Sequence, residues 1–485
     1  MDRATRRVID VFERINRIPR CSKQEQQVSR WLRQWAASRD LEAQTDSAGN
    51  LVVRVPPSDG FEQAPIVILQ GHMDMVCEKR AGSGHDFSKD PIRMVREGSW
   101  LSARETTLGA DNGIAIAIAL ALVDDPDISH PALELFFTVE EETGLTGVLN
   151  MTPSLLRGKI LVNLDSEDEG VFVVGCAGGR NTTIDRQLDL QAIDGGYELL
   201  GVSARGMRGG HSGIDIAKHR ANANKVMARL LSAGAAAAPI RLASLKGGTG
   251  RNVIPRACDA VVACGRDRID ALAGEIGSLA LTIEREYRTT DPGVTIHIEK
   301  KGPPAEDGRG VTENDTATVV DLLAALPSGP VEMAEDFPLL VRTSANLSMV
   351  EIKNDALVVV SNQRSSVPSR MDDICRTVEA AGRLSGATVH TGAGYPSWPM
   401  NRESPLLKRC TALYRELFDA APIVQIMHAG LECAVIGDRC PGMDMISLGP
   451  TMENPHSPSE RLYLPSVERV WRLLAALLES FRSEE

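Results

Sequence analysis

The sequence predicts an α/β protein: a mostly parallel sheet with helices on both faces, carrying an inserted α+β domain. Three observations predict it. Up to Asp165, continuous apolar runs of strand length alternate with helix-length segments, the pattern of strands buried on both faces. Near Gln187 the character changes to two successive runs of strands and amphipathic helices, and after Pro396 the first pattern resumes. A chain of 485 residues also exceeds what one hydrophobic core organises.

In order, Arg6 to Ile15 reads as an amphipathic helix. A second helix from Ser22 is apolar at Val28, Trp31, Leu32 and Trp35. LVVRV (51–55), PIVILQGH (65–72), ALELFFTVEE (132–141) and KILVNLD (159–165) read as strands ended by polar groups. DNGIAIAIALALVDD (111–125) is long and Ala-rich enough for a buried helix. Between Gln187 and Gly394 the order strand, helix, two strands, helix, strand occurs, and then a second run begins at helix TATVVDLLAAL (316–326). That order suits an α+β sandwich with helices on one face, arranged as two similar halves, although no residue-level repeat supports duplication. Helix SPLLKRCTALYRELF (404–418) and strand PGMDMISLGP (441–450) return to the first domain. The expected division is 1–186 and 395–485 for one domain, with 187–394 inserted.

Composition excludes several classes. A net charge of −12 disfavours nucleic acid, which needs concentrated Lys and Arg. No stretch approaches the ~20 apolar residues of a membrane span. The first twenty residues carry charge throughout and lack a signal peptide's apolar run. Nine irregularly spaced Cys without a CxxC pair suggest buried thiols in a reducing cytoplasm rather than a disulfide framework.

Acidic and His residues gather at the ends of the strand-like runs: His72, the glutamates 140–142, Asp165 and His456, with Asp111 opening the Ala-rich helix. In open parallel sheets ligands bind beyond the carboxyl ends of the strands. Converging carboxylates there require a cation, and imidazole plus carboxylate suits Zn, Mn or Co. Asp74, two residues after His72, falls on the same side and is placed to orient its ring. Each residue alone has an ordinary alternative. Asp111 reads as a helix N-cap, the glutamates as a solvated strand end, Asp165 as part of an acidic turn, and His456 as a rigid Pro-flanked loop. GGTGRNVIP (247–255) matches neither GxGxxG nor a P-loop.

The series GHMDMV (71–76), LGADNGI (108–114), EETG (141–144), LVNLDSEDEG (161–170), GGHSG (209–213), HAGLEC (428–433) and GPTMENPHSP (449–458) resembles bacterial aminoacyl-histidine dipeptidases. These belong to the di-zinc metallopeptidases that include carnosinases, aminoacylase-1 and carboxypeptidase-G-like enzymes. The resemblance implies a di-zinc exopeptidase-like catalytic domain and an inserted lid. It implies two divalent ions, zinc foremost, bound by His72, Asp111, Glu142, Asp165 and His456, with Asp111 bridging. Glu141 would be the general base, Asp74 the partner of His72, and His211 a donor to the oxyanion. Glu140 departs from the usual Thr or Asp and leaves the register of EETG open. Asn252, Arg364 and Glu432 are candidates for contacting substrate or holding a peptide's charged ends, with a turn amide and surface salt bridges as the competing readings. The implied reaction is hydrolysis of Xaa-His-like dipeptides by a water activated between the ions, with Glu141 moving its proton. A deacylase of N-acyl amino acids or a carboxypeptidase on the same scaffold is the alternative. A homodimer is implied by the resemblance alone.

Overall fold

The computed structural model describes residues 1–335 and 340–482. They form two compact units. Unit 1 comprises Met1–Cys176, Trp398–Ile426 and Leu431–Glu485, and unit 2 comprises Ala177–Ser397 and Met427–Gly430.

Unit 1 is built on an eight-stranded sheet. In chain order its strands are β1 (Glu42–Thr45), β2 (Leu51–Val55), β3 (Val67–His72), β4 (Leu133–Thr138), β5 (Ile160–Asn163), β6 (Val171–Cys176), β7 (Ile423–Met427) and β8 (Asp444–Ser447). They lie in the order β1-β2-β4-β3-β5-β8-β6-β7. The central β4, β3, β5 and β8 run parallel, while β1–β2, β2–β4 and β8–β6 pair antiparallel. Both β3 and β4 are buried along their whole length, because each face of the sheet is covered. Alternation separates the faces. Leu133, Leu135 and Phe137 join the main core with residues of helices Arg3–Ile15, Gln26–Ala37, Ala110–Val123, Pro405–Phe418 and Leu464–Glu479. Glu134, Phe136 and Thr138 are buried on the opposite face. Helix Ala110–Val123 is buried on all sides from Ala110 to Leu122, as its uniform apolarity requires.

Unit 2 carries a nine-stranded antiparallel sheet: two four-stranded halves of one topology, and a ninth strand, Gly329–Met333, paired with Val341–Lys353. The first half runs strand Tyr197–Arg205, helix Ala223–Ala237, strands Ile240–Gly247 and Cys258–Gly265, helix Ile269–Glu286 and strand Thr295–Gly302. The second runs strand Gly178–Gln187, helix Glu313–Ala325, strands Val341–Lys353 and Ala356–Ser365, helix Pro368–Leu384 and strand Thr388–Thr391. Numbered within each half, both sets of strands lie in the order 4-1-3-2, joined where the two second strands pair. The first half is thus inserted between the first strand and first helix of the second. Strand Gly178–Gln187 precedes the change of character at Gln187, yet it pairs with Ala356–Ser365 and Thr388–Thr391 of unit 2.

One expectation fails. Cys21 and Cys77 form a disulfide across 56 residues, whereas all nine thiols were expected free; the remaining seven are buried thiols. The pairing arises from tertiary proximity. A short parallel bridge between Cys21 and Met75 brings the two loops together, which no spacing rule registers.

Candidate metal centre

The ends of the parallel strands deliver the site. β3 terminates at His72, whose Nε2 lies 3.0 Å from Asp111 Oδ1 and 3.4 Å from Asp165 Oδ1. On the other side of Asp111, His456 Nε2 lies 2.9 Å from Oδ2 and 3.0 Å from Glu142 Oε2. Asp111 therefore presents one oxygen to each imidazole. Two candidate ligand triads result, His72–Asp111–Asp165 and Asp111–Glu142–His456, each with ligand atoms within 4.8 Å of one another. A third grouping, His72–Glu141–Glu142, places Glu141 at the same centre.

The donor chemistry fits a divalent cation. His72 Nδ1 sits 3.1 Å from the Asp74 carbonyl oxygen, so its proton belongs on that side and its Nε2 lone pair faces carboxylate oxygens. Lone pairs facing one another need a proton or a metal between them. The groups converging here are four carboxylates (Asp111, Glu141, Glu142, Asp165) and two imidazoles (His72, His456). Glu142 Oε1 is buried without a hydrogen-bond partner. The pKa values of these groups are displaced by the same imbalance. Burial pushes Glu141 well above the ordinary carboxylate range, His72 opposes this, and Asp165, Glu142 and Glu432 add to it. Burial also raises Glu142 and Asp165. Hydrogen bonds donated to the Asp111 and Glu142 carboxylates lift His456 to about 11. Burial works against charge on His72, yet Asp165, Asp111 and Asp74 together leave its pKa well above normal. Asp111 runs against its own burial, its pKa depressed by His456 and His72.

Local structure explains the aim of each group. Asp74 carries the Glu141–Glu142 turn: its Oδ1 accepts the Glu141 N–H at 3.1 Å and its Oδ2 the Glu142 N–H at 3.3 Å. Its Oδ1 also lies 3.4 Å from His72 Nδ1. Gly71 lets Asn112 approach, since a Cβ there would lie 2.3 Å from Asn112 Oδ1; that oxygen accepts the His72 N–H at 3.1 Å. Glu140 absorbs the turn in a left-handed conformation, φ 52°, and gives its N–H to Glu25 Oε1. Glu141 and Glu142 are therefore the pair aimed at the centre. His456, at φ 59°, also occupies the left-handed region, a conformation unusual for such a residue and common at functional sites.

The profile of peptidase family M20/M25/M40 matches residues 68–480, a span holding all five candidate ligands. The chain belongs to this family. As a member it is a metallopeptidase. It is similar to the cytosol non-specific dipeptidase of Escherichia coli K12, with 35% identity over 97% of this chain and 96% of the relative. The crystal structure of aminoacylhistidine dipeptidase from Vibrio alginolyticus is 32% identical and superposes with a TM-score of 0.87, covering 99% of this chain and 97% of that one. A tripeptidase from Staphylococcus aureus shares the fold at 15% identity and a TM-score of 0.62, covering 99% of each chain. The α/β class read from the sequence is that of this peptidase family.

In unit 2 of this M20/M25/M40 peptidase, His211 pairs with Val253 in a two-residue ladder, and Asn252 is exposed beside it. His211 Nδ1 accepts the N–H groups of Gly213 and Ile214 at 3.2 and 3.1 Å. The proton of the neutral ring therefore sits on Nε2, 3.4 Å from Arg364 Nη2. Arg364 is 4% exposed. Ser212, Asn362 and Tyr395 hold it, and no carboxylate among the described residues pairs with it. His428, hydrogen-bonded to Ser344 at 2.8 Å, is kept neutral by burial, with Arg364 and His211 adding to the effect, its pKa falling to about 3. Glu432, by contrast, is fully buried in unit 1 and bonded to Gln70 and Thr138 at 2.6 and 2.7 Å. That setting makes it a support beneath the strand bearing His72, not an exposed contact for a peptide end.

Sequence reading missed Arg20, Glu460, Tyr395 and His428. His428 and Glu460 stand within or just beyond quoted motifs and were findable there. For Arg20 and Tyr395 no sequence signal exists.

Proposed function

We propose that this peptidase is a dipeptidase using two divalent ions, zinc foremost with Mn or Co as chemical equivalents, to hydrolyse Xaa-His-like dipeptides with broad specificity. The observation that carries the reading is Asp111, whose two oxygens each complete a triad with one imidazole. The names of the Escherichia coli and Vibrio alginolyticus relatives support the substrate class.

When bound, divalent ions supply Lewis acidity and bring the pKa of a coordinated water toward ~7. His72, Asp111 and Asp165 would hold one, and Asp111, Glu142 and His456 the other. Glu141, at the centre yet outside both triads, takes the proton of the attacking water and returns it to the leaving nitrogen. Asp74 keeps the His72 ring and the Glu141–Glu142 turn in register. His211 donates Nε2–H to the developing oxyanion, and Arg364 with Asn252 receives the polar end of the peptide. In this reading the inserted lid, expected at 187–394 between 1–186 and 395–485, takes in strand Gly178–Gln187 as well. A cytoplasmic location, supported by the cytosolic relative, and a homodimer belong to the same reading; no helix among the described residues is long and apolar enough to cross a membrane.

Glu141→Gln tests it. The variant should bind two equivalents of metal and lose about 10²–10⁴-fold in kcat on a dipeptide. Retained turnover would remove Glu141 from the role of base. Chelation should abolish hydrolysis by the parent, and Zn, Mn or Co should restore it; unaffected turnover would end the di-metal reading.

A further inference from the structure

Two buried charged side chains, neither a ligand in the proposed centre, hold the Asp111 loop through its backbone. Glu460 is 2% exposed. Its Oε2 accepts the N–H groups of Leu108 and Gly109 at 2.7 and 3.0 Å, and its Oε1 those of Ala110 and Asp111 at 2.7 and 3.4 Å. Four successive N–H groups thus converge on one carboxylate, which satisfies donors that the start of helix Ala110–Val123 would otherwise leave open. Arg20 is 1% exposed. Its Nη1 donates to the carbonyls of Met73 and Asp74 at 3.3 and 3.1 Å, and its Nη2 to the carbonyl of Gly109 at 2.5 Å. One guanidinium therefore ties the loop after His72 to the loop before Asp111. The approach demands glycine: a Cβ at Gly109 or Gly113 would lie 2.5 Å from Arg20 Nη2.

We propose that Arg20 and Glu460 are positioning residues for the metal centre. They fix the separation of the His72 and Asp111 loops, so that Asp111 keeps one oxygen toward each triad. A bridging carboxylate serves two ions only if its plane is held. Met73, Leu108 and Ala110 anchor these loops in the core, and their backbone is oriented by seven hydrogen bonds to two rigid, planar groups, four on Glu460 and three on Arg20. The inference rests on the proposed two-ion centre.

The test is metal binding, read independently of turnover. Stripped parent, Glu460→Gln and Arg20→Lys are titrated with zinc by calorimetry, and ions retained at fixed free zinc are counted after dialysis. Glu134→Gln is the control, because Glu134 is a buried carboxylate of the same unit that accepts the N–H groups of Arg157 and Gly158 and touches neither ligand loop. Glu460→Gln and Arg20→Lys should each weaken zinc binding about 10–100-fold, with the second equivalent lost first. Glu134→Gln should melt earlier yet bind zinc as the parent does. Parental affinity in both Glu460→Gln and Arg20→Lys would overturn the proposal, as would an equal loss in the control. If Glu460→Gln does not fold, Arg20→Lys against the control decides. A parent that binds fewer than two ions would instead remove the two-ion centre itself.

Discussion

Gly213 offers the sharpest test of whether unit 2 takes part in catalysis. A Cβ at this position would meet the carbonyl oxygen of His428 at 2.2 Å, His211 Cε1 at 3.1 Å and Arg364 Nε at 3.2 Å. Ordinary contact begins near 3.4 Å, so in Gly213→Ala one backbone must retreat by roughly 1 Å. The segment that yields first is 211–214, because its turn is held by the two hydrogen bonds onto His211 Nδ1, and it carries the ring with it. A misplacement of ~1 Å at a group that contacts the reacting atoms can cost about 10²-fold in rate, or ~2.7 kcal/mol of transition-state stabilisation. Overpacking also costs about 1–3 kcal/mol of stability, so the variant must be assayed well below its melting temperature. The measurement is kcat and KM for a dipeptide with metal content determined on the same sample. We expect kcat/KM to fall about 100-fold with two ions retained. Parental kinetics would show that the positions of His211 and Arg364 do not matter to turnover. Loss of metal would show that the substitution acts by another route.

Two further outcomes follow from features outside the centre. Closing a loop of 56 residues, the Cys21–Cys77 disulfide contributes about 4 kcal/mol through the unfolded state; Cys21→Ser/Cys77→Ser should lower the melting temperature, and reductant should lower the parent to the same value. Nine alkylatable thiols in unreduced, unfolded parent would refute the bond. His428 is held neutral with a pKa of about 3, against about 6.5 unfolded, so below pH 6.5 the unfolded chain binds the extra proton and stability falls with pH. From pH 6.5 to 5 the loss is about 2 kcal/mol, and His428→Gln should flatten that slope in urea melts. Parallel slopes for parent and variant would exclude His428 as its source.

What could be read from the sequence follows from how strongly each feature is local. β3, β4 and β5 are buried on both faces, so they appear as apolar runs, and residues of the candidate metal centre stand at or just after their ends: His72, Glu141 and Asp165. Strand Gly178–Gln187 was not legible. It alternates buried and open positions with polar residues such as Arg180, Asn181 and Asp185, and a half-exposed antiparallel strand of that composition resembles a loop. The doubling of unit 2 was visible as an order of elements but not as sequence, because the halves share the order of their strands and helices rather than a residue pattern. Arg20, Tyr395 and the Cys21–Cys77 pair depend on contacts between segments far apart along the chain. In these cases proximity in the fold, not residue type, creates the role.

Hydrogen bonding separates two kinds among the buried acids around the centre. Glu460 and Asp74 each accept backbone N–H groups. Their negative charge is met by fixed dipoles, and they need nothing further. Asp111 and Glu142 direct side-chain oxygens at imidazole nitrogens, and Asp165 approaches His72 in the same way. For the second kind the compensating charge must come from a proton or a cation. Protonating the imidazoles leaves four carboxylates against two positive charges, and the pKa values of Glu141, Glu142 and Asp165 rise accordingly. Two divalent ions supply four charges and return these acids to their ionised forms. A metal centre is therefore the arrangement in which every buried acid of the site is both charged and satisfied. Proton release on zinc binding measures this directly. Near neutral pH, stripped parent should release protons as two equivalents bind, and Asp111→Asn should release fewer.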